Sequence, residues 1–397
     1  ARYSADEGMW TIEVATDEGG DEIRANAIIT AVGQLNRPRF PEIPGIDRFA
    51  GPSFHSAEWE PEHDLTGKRV LVVGTGASAF QFVPEIAKDA ARVTVFQRTP
   101  PWVAPRAEYH DYVTDNKHWL LNHVPFYAKW FRFNMFWTTG EGILRMVKRD
   151  PAWNDPRSVS EENDQLREML TENIKKCLAD KPELIEAATP DYPPAGKRML
   201  VDNGHWFRAL LRDNVELVTD PITEITDTGI RTESGREFAG DILVFGTGFQ
   251  ANKLLFPMEI YGADGRELRA QWAEDPRAYR GISVPGYPNL FCLYGPNTNI
   301  VVNSSIIFFS ECEVRYILGC IAHMLKNDYR SMDCRRDVHD AYNVEIDERN
   351  QTMAWGSTNV TSWYKNARGR VTQNWPGSQL EFWQQTRAPD PEDYVFE

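Results

Sequence analysis

The sequence has 397 residues, 42% of them hydrophobic, and a formal net charge of −15. This length allows two domains with real cores, and the acidic charge argues against a nucleic-acid partner, which would need a basic face. Five scattered cysteines form no CxxC pair, so neither a disulfide framework nor a metal site is supported. With no membrane-spanning run and no secretion signal, we expect a cytoplasmic protein.

The first part of the chain predicts a small β-meander. Trp10–Val14 is typical of a strand, a turn is expected at Gly19-Gly20, and residues 27–33 form an apolar strand ending in glycine. A similar closing unit recurs at residues 222–248. The chain therefore contains the end of the same structural unit twice.

The second copy also shows its opening. Arg69–Gly74 is an apolar strand without alternation, a glycine-rich turn and a helix to about Lys88 follow, and Arg92–Gln97 is the next strand. This β-turn-α-β order predicts a Rossmann-like dinucleotide-binding fold. The first copy lacks such an opening, so we expect the N-terminal βαβ of its domain to lie upstream and to be missing here.

The turn of this unit reads GxGxxA. Gly74 allows the tight turn, Gly76 lets the backbone approach a pyrophosphate, and Ala79 lets the helix pack closely on the strand. The helix N-terminus offers N–H groups to phosphates. The other residues expected to contact the nucleotide are Thr75, Ala77, Ser78 and Gln81.

The end of the second strand favours NADPH over NADH. It reads Gln97-Arg98-Thr99, without the carboxylate that would bind a ribose 2′-hydroxyl. Arg98 can hold a 2′-phosphate through two parallel hydrogen bonds, and Thr99 can donate another. The alternative is an ordinary surface arginine at a strand end.

A helical, aromatic-rich insertion occupies about residues 106–190. Ser158-Val-Ser-Glu161 is a candidate capping box for a helix that runs to about Cys177. The aromatic stretch 127–137 predicts a packed helical lid, with an apolar substrate wall or a membrane-surface contact as alternatives. Further on, a long helix is expected from about Ser305 to Leu325.

The segment before the glycine turn carries a recognisable motif. Phe49, Gly51, His55 and Trp59 fall at the spacing FxGxxxHxxxW, which resembles the fingerprint of Baeyer–Villiger monooxygenases; Glu60 before Pro61 is a minor departure. Residues 33–35, 97–100 and 192–198 agree, so the resemblance covers essentially the whole chain. Within the family it is closest to the 4-hydroxyacetophenone monooxygenase group, through residues 295–299 and 363–376.

The resemblance implies an α/β flavoprotein with two Rossmann-like dinucleotide-binding domains, the NADP domain being inserted in the FAD domain. Residues 1–60 would be the remainder of the FAD domain with the motif, residues 61–250 the NADPH-binding domain with its insertion, and residues 251–397 the C-terminal part of the FAD domain. The implied activity uses FAD, NADPH and O2 to insert oxygen beside a ketone carbonyl, giving an ester or lactone. Aryl or other bulky ketones are the expected substrates, and a homodimer is compatible with the sequence.

The resemblance also assigns roles to residues. Arg198 matches the catalytic arginine, a suitable cation for the anionic species of this reaction because it cannot act as an acid. Lys197 would help Arg98 bind the 2′-phosphate, and His55 would act in domain motion and NADPH handling. The residues expected to approach the flavin are Gly33, Gln34, Asn297 and Asn303.

Three other interpretations compete. A flavin monooxygenase that oxidises nitrogen or sulfur would share the glycine turn but need no such cation. A disulfide reductase is disfavoured because the sequence has no closely spaced cysteine pair. A non-catalytic NADPH-binding fragment is the third.

Overall fold

The computed structural model describes residues 1–141, 143–302, 305–357 and 360–397. Contacts divide the chain into two compact units: unit 1 comprises residues 1–34, 119–152 and 251–397, and unit 2 comprises residues 35–118 and 153–250. This division differs from the predicted one, because residues 35–60 group with the glycine turn, whereas 119–152, expected within the insertion of the NADPH domain, group with unit 1.

The chain contains both strands and helices. The strands are β1 (Arg2–Ser4), β2 (Met9–Thr16), β3 (Gly19–Ala25), β4 (Ile28–Thr30), β5 (Ser53–His55), β6 (Arg69–Val73), β7 (Arg92–Phe96), β8 (Val103–Pro105), β9 (Leu200–Asp202), β10 (Val215–Val218), β11 (Ile222–Thr226), β12 (Gly229–Thr232), β13 (Glu237–Ala239), β14 (Ile242–Phe245), β15 (Leu290–Cys292), β16 (Met332–Cys334) and β17 (Tyr394–Phe396). The helices are α1 (Ala77–Ile86), α2 (Asp115–His123), α3 (Tyr127–Phe136), α4 (Glu161–Cys177), α5 (Ile185–Ala188), α6 (His205–Leu210), α7 (Leu268–Trp272), α8 (Ile306–Asn327), α9 (Arg336–Gln351) and α10 (Gln379–Gln385). Among the described residues, no helix is both long and apolar enough to cross a membrane.

Unit 2 is built on a five-stranded parallel sheet of order β10-β7-β6-β14-β5. Its central strands are apolar at consecutive positions and buried, as parallel strands covered on both faces must be. The meander β11-β12-β13 buries Ile225, Ile230 and Phe238 against residues of this sheet. The predicted α/β dinucleotide-binding fold is thereby confirmed.

Unit 1 contains the antiparallel sheet β1-β2-β3, the parallel pair β4-β15 and the antiparallel pair β16-β17. Trp10 on β2 is fully buried, and its indole N–H donates to the Pro288 carbonyl oxygen over 2.9 Å. The long helix expected from about Ser305 is present as α8.

The turn predicted at Gly19-Gly20 lies two residues earlier. Thr16 pairs with Gly19, so Asp17 and Glu18 form the tip of the hairpin and both glycines belong to β3. The register that runs from the Trp10–Ala25 pair, rather than the local glycine content, fixes the position of the turn.

The capping box predicted at Ser158 is displaced by two residues. The Ser160 hydroxyl caps α4 by accepting from the Asn163 N–H over 3.2 Å, whereas the Ser158 hydroxyl accepts from the Trp153 indole over 2.9 Å. The helix ends at Cys177, as predicted.

The aromatic stretch is not a packed lid. Helix α3 has no buried residue, and Phe126 and Trp130 beside and within it are 77% and 68% exposed. A packed amphipathic helix would bury one face. The alternatives, a substrate wall or a membrane-surface contact, stay predictions.

We expect Ser160→Ala to lower the free energy of unfolding of unit 2 by about 1 kcal/mol, because the buried Asn163 N–H loses its acceptor. Chemical denaturation is the measurement. Ser160→Thr keeps the hydroxyl and is the matched control. An alanine variant as stable as the threonine variant would contradict the assignment of the cap.

Candidate functional site

The glycine turn joins β6 to α1 at a point where the backbone after β14 passes close to it. Gly74 has φ +106°, and a Cβ there would lie 2.6 Å from the Gly246 carbonyl oxygen. Both the left-handed backbone and the clash exclude a larger residue. Gly74 also donates its N–H to Phe96 over 2.9 Å, which ties the turn to the end of β7.

At Gly76, neither the backbone conformation nor a clash requires glycine. Its φ is −71°, and among the described residues the nearest atom to a Cβ would be the Gly246 oxygen at 3.9 Å. The fold itself therefore does not require glycine here, and Gly76 is exposed. A bare backbone on an open face suits the close approach of a phosphate.

Helix α1 begins at Ala77 with no side-chain cap, and its N-cap is Gly76. Its first N–H groups are therefore available to an anion, and the positive end of the helix dipole favours one. Ala79 is buried, and a Cβ on Gly246 would lie 3.0 Å from its methyl group. Ser78 is half-buried on the first turn, and Gln81 is exposed.

Thr75 connects the turn to the segment after β7. Its hydroxyl donates to the Thr99 carbonyl oxygen over 3.2 Å, and its side chain is buried. Thr99 is half-buried and Arg98 is exposed. The end of β7 thus lies against the glycine turn and carries a cation.

Lys197 brings a second cation to this place. Burial lowers the pKa of Lys197, the positive charge of Arg98 lowers it further, and Asp191 raises it. The Lys197 ammonium lies 4.7 Å from the centre of the Tyr192 ring. Two cations that repel each other can be stabilised by an anion placed between them.

Arg198 follows directly and points to solvent. It is exposed, and within the described part of the chain its guanidinium has no ion-pair or hydrogen-bond partner. Tyr192 anchors the segment before Arg198. The Tyr192 hydroxyl donates to the Pro100 carbonyl oxygen over 3.0 Å, and the Tyr192 carbonyl oxygen accepts from the Trp102 indole N–H over 2.8 Å. A free guanidinium on an anchored segment can bind an anionic group.

The FxGxxxHxxxW residues build the edge strand β5 of unit 2. Phe49 packs in the core of the unit, and a Cβ on Gly51 would lie 2.4 Å from the Asp241 carbonyl oxygen. Trp59 packs against Phe54 and against Phe82 of α1, with ring centres 5.2 and 5.4 Å apart. The motif therefore fastens β5 to the sheet.

His55 is 0% exposed, between the rings of Phe40 and Phe249. Its Nδ1 accepts from the Ala57 N–H over 3.1 Å, so the neutral ring carries its proton on Nε2. Burial lowers the pKa of His55, although the nearby Gly248 carbonyl raises it. Such a histidine is suited to hold the strand rather than to transfer protons to a substrate.

The residues expected at the flavin divide into two kinds. The Gln34 amide nitrogen donates to the Tyr294 and Gly295 carbonyls, over 3.0 and 2.8 Å, while its Oε1 is buried and has no partner among the described residues. Gly33 has φ +71° and open space around it. The open space at Gly33 leaves room for a ligand, and the Gln34 Oε1 offers that ligand an acceptor.

Asn297 is different. It is buried, its amide donates to the Val371 and Asn374 carbonyls, and its oxygen accepts from Arg370 over 3.1 Å. Its amide is therefore used inside the chain, and the expectation that Asn297 approaches a flavin stays a prediction. Asn303 lies outside the described residues.

Sequence reasoning missed Gly246 and Glu313. Gly246 ends β14 in a Gly-Thr-Gly run, and that run at a strand end could have indicated a close approach. Glu313 occupies the buried face of α8 at helical spacing with Phe309, Tyr316 and Ile317. That helical spacing is the feature of the sequence that could have identified Glu313 as a buried residue.

One group could supply ligands to a metal ion. Glu60, Glu62 and His63 offer ligand atoms within 4.8 Å of one another in a surface loop. The His63 ring nitrogen and Glu60 already share a hydrogen bond of 2.9 Å, so the cluster is satisfied without an ion.

Comparison with known proteins places these features in context. Residues 2–122 match the family described as Flavin-binding monooxygenase-like. The chain is 35% identical over 396 residues to an uncharacterized monooxygenase of Sinorhizobium fredii, covering 99% of this chain but 60% of that protein. The chain thus spans less than two thirds of that relative.

A second relative is a Baeyer–Villiger monooxygenase of Pseudomonas aeruginosa, 32% identical over 98% of this chain and 70% of its own length. Among solved structures, OTEMO in complex with FAD and NADP superposes with a TM-score of 0.81 at 25% identity, over 100% of this chain and 80% of OTEMO.

The two glycines of the turn should respond differently to alanine. We expect Gly74→Ala to lower the free energy of unfolding by at least about 2 kcal/mol, because of strain and clash with Gly246. Gly76→Ala should change it by less than about 1 kcal/mol, since a Cβ has room. Thermal denaturation of both variants is the measurement, and equal losses would refute this distinction.

Proposed function

Since this chain belongs to the Baeyer–Villiger monooxygenase family, we propose that the protein uses FAD, NADPH and O2 to insert one oxygen atom beside a ketone carbonyl, giving an ester or lactone. The observation that carries the proposal is the proximity of Arg98 and Lys197, whose charges interact, on the segments next to the glycine turn before α1. Arg198 follows Lys197 directly and has no partner among the described residues. Aryl or other bulky ketones stay the predicted substrate class, and cytoplasmic location and a homodimer also stay predictions.

The residues of unit 2 fit NADPH. The open face of Gly76 and the first N–H groups of α1 would hold the pyrophosphate. Arg98 and Lys197 would hold the 2′-phosphate, whose double negative charge relieves their mutual repulsion. Thr99 would add a hydrogen bond from its hydroxyl.

The residues of unit 1 offer features that fit a flavin. The buried Gln34 Oε1 lacks a donor among the described residues, and an N–H of a bound ring would supply one. The open space at Gly33 leaves room for the ring to approach the backbone. FAD, when bound, supplies the redox chemistry with O2; the chain binds, orients and excludes water.

Arg198 would provide the fixed positive charge of the reaction. Negative charge develops on the ketone oxygen as its carbonyl is attacked, and a guanidinium that cannot lose its proton stabilises this charge without acting as an acid. No residue that the structure describes pairs with its guanidinium, which is therefore available for that role. His55 would be a positioning residue that keeps β5 in place.

Nucleotide preference tests the cation pair. We expect Arg98→Ala or Lys197→Ala to weaken NADPH binding roughly tenfold to a hundredfold while NADH binding changes little, because only NADPH carries the 2′-phosphate. Gly76→Ala should weaken both nucleotides, since its methyl group would meet the pyrophosphate. Titration with each nucleotide is the measurement. Equal affinity of the unsubstituted protein for NADPH and NADH would refute the assignment.

Substrate oxidation tests Arg198. We expect Arg198→Ala to reduce ketone oxidation by at least about 100-fold, because the developing charge loses its counter-ion. Arg212→Ala, which removes an exposed arginine elsewhere in unit 2, is the matched control. Ester formation and oxidation of a sulfide are measured in parallel. Ketone oxidation that survives the substitution would refute the role of Arg198. Sulfide oxidation that stays largely intact, with no ketone oxidation by the unsubstituted protein, would favour an enzyme that oxidises nitrogen or sulfur.

A further inference from the structure

Helix α8 buries a carboxyl group beneath the loop formed by residues 294–299. Glu313 is 1% exposed, and its Oε2 accepts a hydrogen bond of 3.0 Å from the Tyr294 N–H. Its other oxygen, Oε1, is buried and has no partner within the part of the chain that the structure describes. A buried carboxyl group is costly, so its place under this loop calls for an explanation.

The loop has an unusual backbone. Tyr294 and Asn297 have φ of +56° and +58°, the left-handed region that favours glycine. Residues other than glycine persist there only when their surroundings fix them. The Arg370 and Asn374 contacts hold the Asn297 end, and Glu313 holds the Tyr294 end.

Glu313 and Gln34 form hydrogen bonds with different backbone groups of Tyr294. Glu313 accepts from the N–H of Tyr294, while the Gln34 amide donates to the carbonyls of Tyr294 and Gly295. The two carbonyls fix the Gln34 amide nitrogen, so they also fix the direction of the Gln34 oxygen. That oxygen is the buried acceptor without a donor.

We propose that Glu313 is a positioning residue for Gln34: by holding the Tyr294 N–H it sets the two carbonyls that aim the Gln34 oxygen at the flavin. Only the last part, the flavin as the group that Gln34 meets, rests on the proposed function. The hydrogen-bonded relay from Glu313 through Tyr294 to Gln34 stands on the contacts within unit 1.

The protonation state of Glu313 gives this relay a measurable signature. Burial raises the pKa of Glu313 to about 8, while the Tyr294 N–H and the Thr298 hydroxyl lower it. Two titratable groups lie near it, the thiols of Cys292 and Cys312, and burial raises their pKa values to about 12 and about 11. Both thiols therefore stay neutral where Glu313 titrates.

The sign of the effect follows from the folded and unfolded pKa values. Unfolded, a glutamate ionises near pH ~4.3, so between that pH and about 8 the folded protein binds one more proton than the unfolded chain. Stability from this group is therefore complete below pH ~4.3 and is lost as the pH rises through about 8. An ionised Glu313 remains an acceptor for the Tyr294 N–H, since this hydrogen bond favours the charged carboxylate, so ionisation lowers stability through the cost of burying the charge.

The experiment compares E313Q, E313A and E311Q with the unsubstituted protein, purified with FAD. E313Q keeps an acceptor and is always neutral, E313A removes the acceptor, and E311Q changes an exposed neighbour on the same helix that pairs with Arg132. Hydrogen exchange of the Tyr294 amide, thermal stability and FAD affinity are measured from about pH 5 to about pH 9.

We expect E313A to bind FAD roughly tenfold more weakly than the unsubstituted protein. The thermal stability of the unsubstituted protein and of E311Q should fall as the pH rises from about 4.3 to about 8, while their Tyr294 amide stays protected. E313Q should show none of this dependence, and E313A should lack Tyr294 protection at every pH. An E313Q profile that matches the unsubstituted protein, or full protection in E313A, overturns the proposal. If E313A does not fold, E313Q decides alone.

The measurements distinguish a failure of the positioning role of Glu313 from a failure of the proposed function. Absence of FAD binding by every protein at every pH would refute the proposed function, while amide exchange and stability would still decide whether Glu313 holds Tyr294. FAD binding with the same affinity in E313A and the unsubstituted protein would refute the positioning of Gln34 and leave the proposed function standing.

Discussion

Unit 2 depends on the passage of backbone against backbone at the carboxyl ends of two neighbouring strands. Gly74 follows β6 and Gly246 follows β14, and these strands pair in register up to Phe245 and Val73, the residues just before the two glycines. A Cβ on Gly74 would reach the Gly246 carbonyl oxygen, and one on Gly246 would reach Ala79. This contact fixes where α1 begins, and therefore where its uncapped N–H groups lie. The same small residues that close the sheet therefore also set the position of these N–H groups.

Local patterns predicted this part of the fold well, because buried parallel strands and a glycine-rich turn are written in consecutive residues. The errors concern contacts with residues that lie outside the predicted turn and the predicted capping box. The Asp17–Glu18 hairpin tip follows from the pairing of Trp10 with Ala25, and the cap of α4 is Ser160 because the Trp153 indole binds Ser158. Neither the strand pairing nor the indole hydrogen bond can be predicted from the secondary-structure propensities of the individual residues.

The candidate site was predicted mainly through resemblance, and contacts decide what each side chain is free to do. Gln34 and Asn297 are both buried amides that were expected at a flavin. Asn297 is used by Arg370, Val371 and Asn374, far along the chain, whereas the Gln34 oxygen has no partner among the described residues. A single sequence shows the two amides alike, because it does not show their partners.

The place of the FxGxxxHxxxW residues in unit 2 has a consequence for exchanging parts between relatives. The motif supplies β5, the edge strand that pairs with β14, and Gly51 and Trp59 fit the backbone at Asp241 and the ring of Phe82. A transplanted nucleotide module cut at residue 60 would leave β14 unpaired on one side and Phe82 uncovered. A cut near residue 35 would carry the strand, its histidine and its sheet partner together.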